Sequence, residues 1–224
     1  LRVTGKPRWR TVRGGSRHYV AAIADRFRGQ IRTSSPVTSL TRREGGVEVT
    51  APSGSETFDR VVVAAHSDQA LAMVADATAA ERAVLGAIRY QPNVATLHTD
   101  ASLLPRQRRA WAAWNYHVDA GVEGRASLTY HLNRLQNLDL DTEICVTLNR
   151  PEAPDPARVV AHIDYAHPVF DPPAIAAQRR RHEISGVDRI HYCGAYWGYG
   201  FHEDGLRSGV AVARELGAVP RGPR

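Results

Sequence analysis

The sequence predicts an α/β (α+β) fold in which an α/β layer is interrupted by a mostly antiparallel β domain. Three observations lead to this prediction. The run 60–65 is apolar after its first residue, as expected of a strand that is covered on both faces. Several strand patterns follow between residues 93 and 165, separated by links that carry Pro and Gly. The segment 190–209 then reads as a short strand, a turn rich in Gly and aromatic residues, and a helix.

The first third of the chain combines one helix with several short strands. Gly14, Gly15 and Ser16 precede apolar residues that recur at helical spacing over about 17–27, and Ser16 stands where a helix N-cap is expected. Short strand patterns follow, separated by turns that contain Gly, at 31–33, 37–40, 47–50, 57–58 and 60–65.

In the middle of the chain, the sequence pattern predicts helices on either side of a group of strands. Thr78 followed by Glu81 has the spacing of a capping box, so a helix is expected to begin there. Helical patterns cover 68–74, 78–88 and 172–181, and strand patterns cover 93–99, 110–117, 126–132, 144–148 and 159–165. The last helix is expected over about 205–216, because Gly217 and Pro220 just after it are residues that end helices.

The segment 190–209 carries the clearest functional signal. The N-terminus of a helix presents backbone N–H groups that have no partner within the helix, and these favour an anionic or electron-rich ligand. The glycines of the turn allow a ligand to approach closely, and the aromatic residues supply flat walls. We interpret the segment as a cofactor cradle. The alternative is a strand–turn–helix corner whose aromatic side chains belong to the core.

Composition narrows the range of functions. The chain has 224 residues, enough for one domain or two small ones, and no apolar run approaches the roughly 20 residues of a membrane span. The net charge of +6 comes from basic residues interleaved with acidic ones, so no nucleic-acid partner is predicted. An acidic partner or peripheral contact with an anionic membrane surface remains an alternative. The 2 cysteines give no disulfide framework, and we expect a cytoplasmic location.

Individual side chains support weaker hypotheses. His162 and Asp164 share one face of a predicted strand, but the spacing specifies no third ligand, so no metal site is predicted. The strands around Trp114 and Tyr130 alternate large and polar residues, which fits either a cleft-lining sheet or ordinary cross-strand packing. Cys193 lies in a predicted strand, where burial makes a thiol unreactive.

The order of these elements resembles the flavin-containing amine oxidase superfamily, from its middle to its C-terminus. The resemblance rests on the Gly-Gly-Ser sequence before the first helix, the apolar strand that ends at 63–65, and the segment 193–209. Four motifs resemble a branch of bacterial predicted NAD/FAD-binding oxidoreductases, related to the flavoprotein module of plant cyclopropane fatty-acid synthases. These motifs are 114–116, 133–138, 167–171 and 194–205.

The resemblance implies FAD as the cofactor and a place for each matching residue. Gly14 and Gly15 would open the segment near the isoalloxazine ring and the substrate cleft. Val37 would present its backbone N–H and C=O to the adenine ring. Gly194 would end the last strand beneath the ribityl–pyrophosphate chain.

The same resemblance implies that the final helix begins against the flavin. Glu203, Asp204 and Gly205 would form its first turn, facing the N1/O2 edge where negative charge develops on reduction. Ser208 and Gly209 would let the helix pack tightly on the sheet. His202 is the candidate catalytic residue, because imidazole titrates near neutrality and can carry a proton.

The chain departs from the family pattern in three places. No strand followed by G-x-G-x-x-G is present, so we expect the chain to be the C-terminal portion of a larger flavoprotein that does not hold FAD tightly alone. Ala195 stands where many members carry an acid. Lys6 is the only lysine, so the lysine that amine oxidases often place near flavin N5 is absent. Because His202 also replaces an aromatic-cage tyrosine, amine oxidation is not implied.

These inferences combine into one expected organisation. The segment 1–66 would be an FAD-binding, Rossmann-like lobe without its G-x-G-x-x-G unit, 67–185 a substrate-binding domain, 186–217 the closing part of the FAD-binding lobe, and 218–224 a disordered tail. The expected function is FAD-dependent oxidation of a small apolar molecule, lipid-like or an amine, with the missing N-terminal half as a partner. The alternative is a non-enzymatic remnant, or an interaction module of a split flavoprotein.

Overall fold

A computed structural model describes residues 10–118 and 127–218 of the chain. In these residues the α-helices are α1 (Arg17–Ala24), α2 (Ser67–Met73), α3 (Ala79–Leu85), α4 (Leu132–Gln136), α5 (Pro172–Gln178) and α6 (His202–Glu215). The β-strands are β1 (Ser39–Arg43), β2 (Gly46–Ala51), β3 (Gly54–Phe58), β4 (Val61–Val63), β5 (Tyr90–His98), β6 (Trp114–His117), β7 (Ser127–His131), β8 (Cys145–Leu148), β9 (Val159–Pro168) and β10 (Ile190–Tyr192). The expected disordered tail lies outside the described residues except for Ala218.

The strands form mostly antiparallel sheets, which confirms the predicted mixed fold. The strands β1, β2 and β3 make an antiparallel meander. A five-stranded sheet has the order β6-β7-β8-β5-β9, and its pairs β6–β7, β7–β8 and β5–β8 are antiparallel. The strands β4 and β10 pair in parallel.

The chain divides into two compact units. The sheet unit comprises Leu1–Ile31 and Pro92–Tyr165, and the mixed unit comprises Arg32–Gln91 and Ala166–Arg224. These boundaries differ from the expected divisions after residues 66 and 185. The helices α2, α3 and α5 belong with β4 and β10, because they bury side chains in the same hydrophobic core. The assignment of FAD-binding and substrate-binding roles to parts of the chain remains a prediction.

The core of the mixed unit forms around the parallel pair of strands. Val63 of β4 and Ile190 and Tyr192 of β10 are buried with Leu85 of α3 and Ala174 of α5. The expectation that 60–65 is covered on both faces is therefore correct for one face only, since Val62 is exposed.

The helix starts follow the sequence to different degrees. At α3 the Thr78 hydroxyl accepts the Glu81 N–H at 3.1 Å and the Glu81 carboxylate accepts the Thr78 N–H at 2.8 Å, which confirms the capping box. At α1 the Ser16 side chain makes no capping hydrogen bond, and no residue of the helix is buried. The strand expected at 31–33 is absent, and α4 was not predicted. In the part of the chain described, no helix is both long and apolar enough to cross a membrane.

A row of polar side chains crosses one face of the five-stranded sheet. Thr129 and Thr147 face each other across β7 and β8, with 2.7 Å between their hydroxyl oxygens. His98 Nε2 lies 2.8 Å from the Thr147 hydroxyl and His117 Nε2 lies 2.7 Å from that of Thr129. His98 and both threonines are fully buried, so the row satisfies polar atoms that would otherwise be costly inside the unit.

Candidate functional site

The segment 190–209 folds as the predicted strand, turn and helix, and one serine joins its two ends. The Gly194 N–H donates to the Ser208 hydroxyl at 2.8 Å, and that hydroxyl donates to the Gly205 carbonyl at 2.9 Å. Ser208 is buried, so these bonds are shielded from water. A side chain at position 194 would collide with the ring of Tyr196, which explains a glycine there. The end of β10 is thereby fixed against the first turn of α6.

The two acidic residues in the first turn of α6 are bonded within the chain. The Asp204 carboxylate accepts the Tyr199 N–H at 3.0 Å and the Phe201 N–H at 3.1 Å, so it holds the turn in shape. The Glu203 carboxylate accepts Arg207 Nε at 2.9 Å one helical turn later. Both carboxylates lie in the first turn, where the positive end of the helix dipole favours negative charge.

The backbone at Gly205 is open to a close approach. A Cβ at this position would meet only Ala195, at 3.8 Å and beyond, which is ordinary van der Waals contact. Gly205 lies in the first turn of a helix of 14 residues, and its own N–H donates to the Phe201 carbonyl at 3.1 Å, so a ligand would meet its bare Cα and not a free N–H. The absence of a side chain at Gly205 therefore leaves room for a flat ligand at the helix start.

Gln178 supports the turn and was not found from the sequence. Its side-chain amide donates to the Tyr196 carbonyl at 2.9 Å and to the Gly198 carbonyl at 2.7 Å. It lies on α5, and nothing in its local sequence marks it as a partner of the turn. The aromatic residues of the turn fall into two groups. Tyr196 is buried in the core and Trp197 packs against it, whereas Tyr199 and Phe201 are exposed. The corner interpretation is thus right for Tyr196 and Trp197 but not for the other two.

The remaining candidate residues lie in different places. His202 is the first residue of α6 and is exposed, and Val37 is exposed just before β1. Gly14 and Gly15 belong to the sheet unit and have φ of +82° and +88°, a conformation that favours glycine. Hydrogen bonds therefore join Gly194, Gly205 and Ser208 to one another, and the functional roles of all the candidates remain predictions.

The two cysteines are buried, and His162 lies against a buried threonine. Both cysteines are buried and free, as the strand positions predicted. Burial raises the pKa of Cys193, and burial together with Glu143 raises the pKa of Cys145 to about 11, so neither forms a thiolate readily. His162 Nδ1 lies 3.0 Å from the Thr96 hydroxyl. Among the residues described, no three His, Cys, Asp or Glu side chains form a group that could hold a metal ion.

The second face of the five-stranded sheet presents aromatic side chains. Trp114 and Tyr130 are opposite each other on β6 and β7, with ring centroids 5.6 Å apart and planes at 83°. Trp114 is 51% and Tyr116 65% exposed. Between them Asn115 points to the buried face, where its amide donates to the Thr129 carbonyl at 3.2 Å. The alternation thus separates a structural polar face from an open aromatic one.

Sequence comparison links the first half of the chain to a flavoprotein family. A family model described as flavin containing amine oxidoreductase matches residues 3–106. The match ends before the segment 190–209, so the family match and the geometry of that segment are independent observations. No curated protein matches the chain. The family match supports a flavin cofactor.

Solved structures share the fold. The chain is similar to a CLA-producing fatty acid isomerase from P. acnes, with 15% identity and a TM-score of 0.64, over 90% of this chain and 52% of that one. It is similar to a putrescine oxidase bound to putrescine, with 13% identity and a TM-score of 0.61, over 92% of this chain and 53% of that one. It is also similar to cyclohexylamine oxidase from Brevibacterium oxydans IH-35A, with 16% identity and a TM-score of 0.51, over 82% of this chain and 49% of that one. The chain therefore spans about half the length of these proteins.

Proposed function

We propose that the chain is part of an FAD-dependent oxidoreductase, and that its contribution is the flavin-ring end of the cofactor site together with a substrate-binding surface. The match of residues 3–106 to flavin-containing amine oxidoreductases is the observation that carries the proposal. The bound flavin would supply the chemistry by accepting a hydride from the substrate. The residues of this chain would bind, orient and shield the reactants.

The start of α6 is the proposed contact with the flavin ring. Gly205 leaves its backbone open, and the helix dipole would favour the negative charge that develops at the N1/O2 edge. Gly194 would lie beneath the ribityl chain, held there by Ser208. Asp204 and Glu203 would act as positioning residues, because their carboxylates already accept hydrogen bonds from the turn and from Arg207.

Three further candidate sites complete the proposed assignment. Val37 would contact the adenine, and Gly14 and Gly15 would lie near the ring and the substrate cleft. His202 would carry a proton near the flavin, since it begins α6 and is exposed.

The proposed substrate is a small apolar molecule, lipid-like or an amine. The exposed aromatic face that carries Trp114, Tyr116 and Tyr130 offers flat apolar walls for such a molecule. Burial raises the pKa of Tyr130, so its phenol stays neutral and can donate a hydrogen bond. The similar proteins named above include a fatty acid isomerase and oxidases of two amines. The resemblance of the sequence motifs to a branch related to a module of cyclopropane fatty-acid synthases points the same way. A cytoplasmic location fits this proposal.

Flavin content tests the proposed function. The chain would be purified together with the polypeptide encoded immediately upstream of it, joined or co-expressed, and flavin absorbance would be measured after removal of free flavin. We expect a yellow protein. The Gly205→Leu variant should lose the flavin, because the side chain would occupy the space at the helix start, whereas Gly209→Leu, where a Cβ meets nothing within 4 Å, should retain it. A folded, colourless protein would contradict the flavin proposal and favour a non-enzymatic module. Equal flavin content in both variants would contradict the placement at Gly205.

A further inference from the structure

His66 lies at the same edge of the mixed unit as the turn of the segment 190–209. The strands β4 and β10 are parallel, with Val63 opposite Tyr192, so the residues that follow the two strands emerge at one edge. His66 comes soon after β4, and Gly194 comes soon after β10. In α/β sheets, ligands bind outside the carboxyl ends of the parallel strands. His66 is therefore placed where a ligand of the proposed cradle would be bound.

The His66 ring is held in place by its neighbours. It stacks on the ring of Tyr90, with 4.6 Å between the ring centroids and 19° between the planes. The Tyr90 hydroxyl accepts the N–H of the buried Ser67 at 3.0 Å. The His66 carbonyl accepts the Ala70 N–H at 2.8 Å, at the start of α2. The His66 side chain is half-buried, so the protein orients its imidazole and leaves it open to a ligand.

A second imidazole reaches the same place from the end of β9. The Val169 N–H donates to the Arg89 carbonyl at 2.8 Å, which brings the end of β9 beside the start of β5. His167 is exposed there. Partial desolvation and the nearby His66 lower the pKa of His167. The two imidazoles are thus neighbours, although they come from distant parts of the chain.

The segment that carries His167 also lies against the turn before α6. A Cβ at Gly200 would lie 3.6 Å from the Phe170 ring, so this ring packs beside the turn. Tyr199 and Phe201, on either side of Gly200, are exposed. All of these residues belong to the mixed unit. The two imidazoles therefore have aromatic rings nearby whose faces can bind an apolar chain.

The charges around the two imidazoles favour an anionic ligand over an ammonium group. The Asp171 carboxylate accepts Arg89 at 2.7 Å and the Ala174 N–H at 3.0 Å. The Asp68 carboxylate accepts the Gln69 N–H at 2.8 Å, and both acidic residues in the first turn of α6 are bonded within the chain, as described above. An imidazole, by contrast, donates a hydrogen bond when neutral and carries a positive charge when protonated.

We propose that His66 and His167 form the subsite for the acidic head group, a carboxylate, of a lipid-like substrate. Tyr199 and Phe201 would lie against its apolar chain. Two neighbouring imidazoles repel each other when both are protonated, and a bound carboxylate offsets that repulsion, so binding should be accompanied by proton uptake. The inference rests on the proposed function, because it selects an acidic lipid over an amine as the substrate.

Octanoate binding tests the subsite, because octanoate combines a carboxylate with a short apolar chain. It would be titrated into the chain joined to, or co-expressed with, the polypeptide encoded immediately upstream. Calorimetry in buffers of different ionisation enthalpy would measure both the affinity and the proton uptake. We expect binding with proton uptake, and an affinity that falls as the pH rises from about 6 to about 8. Acetate, which lacks the apolar chain, should bind at least about tenfold more weakly, and octylamine should not bind at this subsite.

Substitution of the histidines tests their part in binding. His66→Gln and His167→Gln should each weaken octanoate binding about tenfold, because each removes a hydrogen bond to a charged group. The double variant should abolish the proton uptake, since glutamine takes no charge. The matched control is His182→Gln, exposed in the same unit, which should change neither property. Melting temperature and flavin content would be compared with the wild type. Because His167 is exposed, its variant should keep both even if His66→Gln disturbs the stacking on Tyr90.

The outcomes separate this proposal from the proposed function. A yellow protein in which octanoate does not bind, binds without proton uptake, or binds equally well in the histidine variants overturns the subsite and leaves the flavin proposal standing. A colourless protein in which binding depends on both histidines supports the subsite and contradicts the flavin. Octylamine binding that is lost in both variants overturns the acidic head group and assigns the site to an amine. Equal affinity for acetate and octanoate overturns the lipid-like chain.

Discussion

At the residue scale, Glu81 is an acidic side chain with 2% exposure and three partners. Its carboxylate accepts the Tyr192 hydroxyl at 2.6 Å, Arg42 at 2.5 Å and the Thr78 N–H at 2.8 Å. Burial raises the pKa of this carboxyl, but the hydrogen bonds from these three groups outweigh burial and hold the pKa below its usual value. The same burial and the Glu81 charge raise the pKa of Tyr192, so that its hydroxyl remains a donor.

Replacing this carboxylate should therefore be costly. We expect Glu81→Gln to lower the free energy of unfolding by about 2 kcal/mol, because Arg42 loses its buried partner and keeps only the more exposed Asp76. The control is Glu48→Gln, which breaks a more exposed ion pair with Arg43 at 2.7 Å and should cost less than about 1 kcal/mol. Urea denaturation followed by circular dichroism measures both. Similar losses in the two variants would show that the buried network is not what stabilises the mixed unit.

At the element scale, the sequence predicted most helices and strands because their signals are local. The capping box of α3 and the apolar strand β4 depend on residues within a few positions of each other. The end of α1 and the whole of α4 were missed. Both are short and depend little on a buried apolar face, since neither helix contains a buried residue.

In the candidate site, too, contacts within one segment could be predicted and contacts between distant segments could not. Gly194, Gly205 and Ser208 lie within one short segment, so their arrangement could be inferred from spacing. Gln178 reaches the turn from α5, and Glu81 reaches Tyr192 from 111 positions away. Such contacts depend on how the elements pack, which no local pattern in one sequence specifies.

Two residues that the sequence marks as N-caps provide a direct comparison of elements. Thr78 caps α3 through its hydroxyl, whereas Ser16 makes no capping bond at α1. We expect Thr78→Ala to reduce stability by about 1 kcal/mol, and Ser16→Ala to change it by less than about 0.5 kcal/mol. The shift in the urea midpoint, multiplied by an unchanged dependence of the unfolding free energy on urea concentration, gives both values. An equal loss at Ser16 would mean that α1 contributes to the cooperative unfolding of the chain and is capped in solution.

At the scale of the whole molecule, titratable groups in both units make stability depend on pH. In the sheet unit His98 Nδ1 accepts the Asp100 N–H at 3.1 Å, so the neutral ring carries its proton on Nε2 and donates it to Thr147. Burial lowers the pKa of His98, and partial desolvation with the neighbouring His66 lowers the pKa of the exposed His167 in the mixed unit. Hydrogen bonds outweigh desolvation and lower the pKa of three carboxyl groups, which belong to the buried Glu81 and Asp100 and to the more exposed Glu215.

These shifts predict that acidification destabilises the protein in two steps. A histidine whose folded pKa lies below the ordinary 6.5 binds a proton more readily in the unfolded state, so its contribution is complete above pH 6.5 and is lost as the pH falls below it. The carboxyl groups behave likewise around their ordinary values of 3.8 and 4.5, at lower pH. The melting temperature should therefore fall between pH 7 and pH 5, and fall again below about pH 4.5. The variant His98→Gln, whose amide can still accept from Asp100 and donate to Thr147, should flatten the first step, whereas His18→Gln on the exposed helix α1 should leave it unchanged. A first step of the same size in both variants would show that His98 does not carry it.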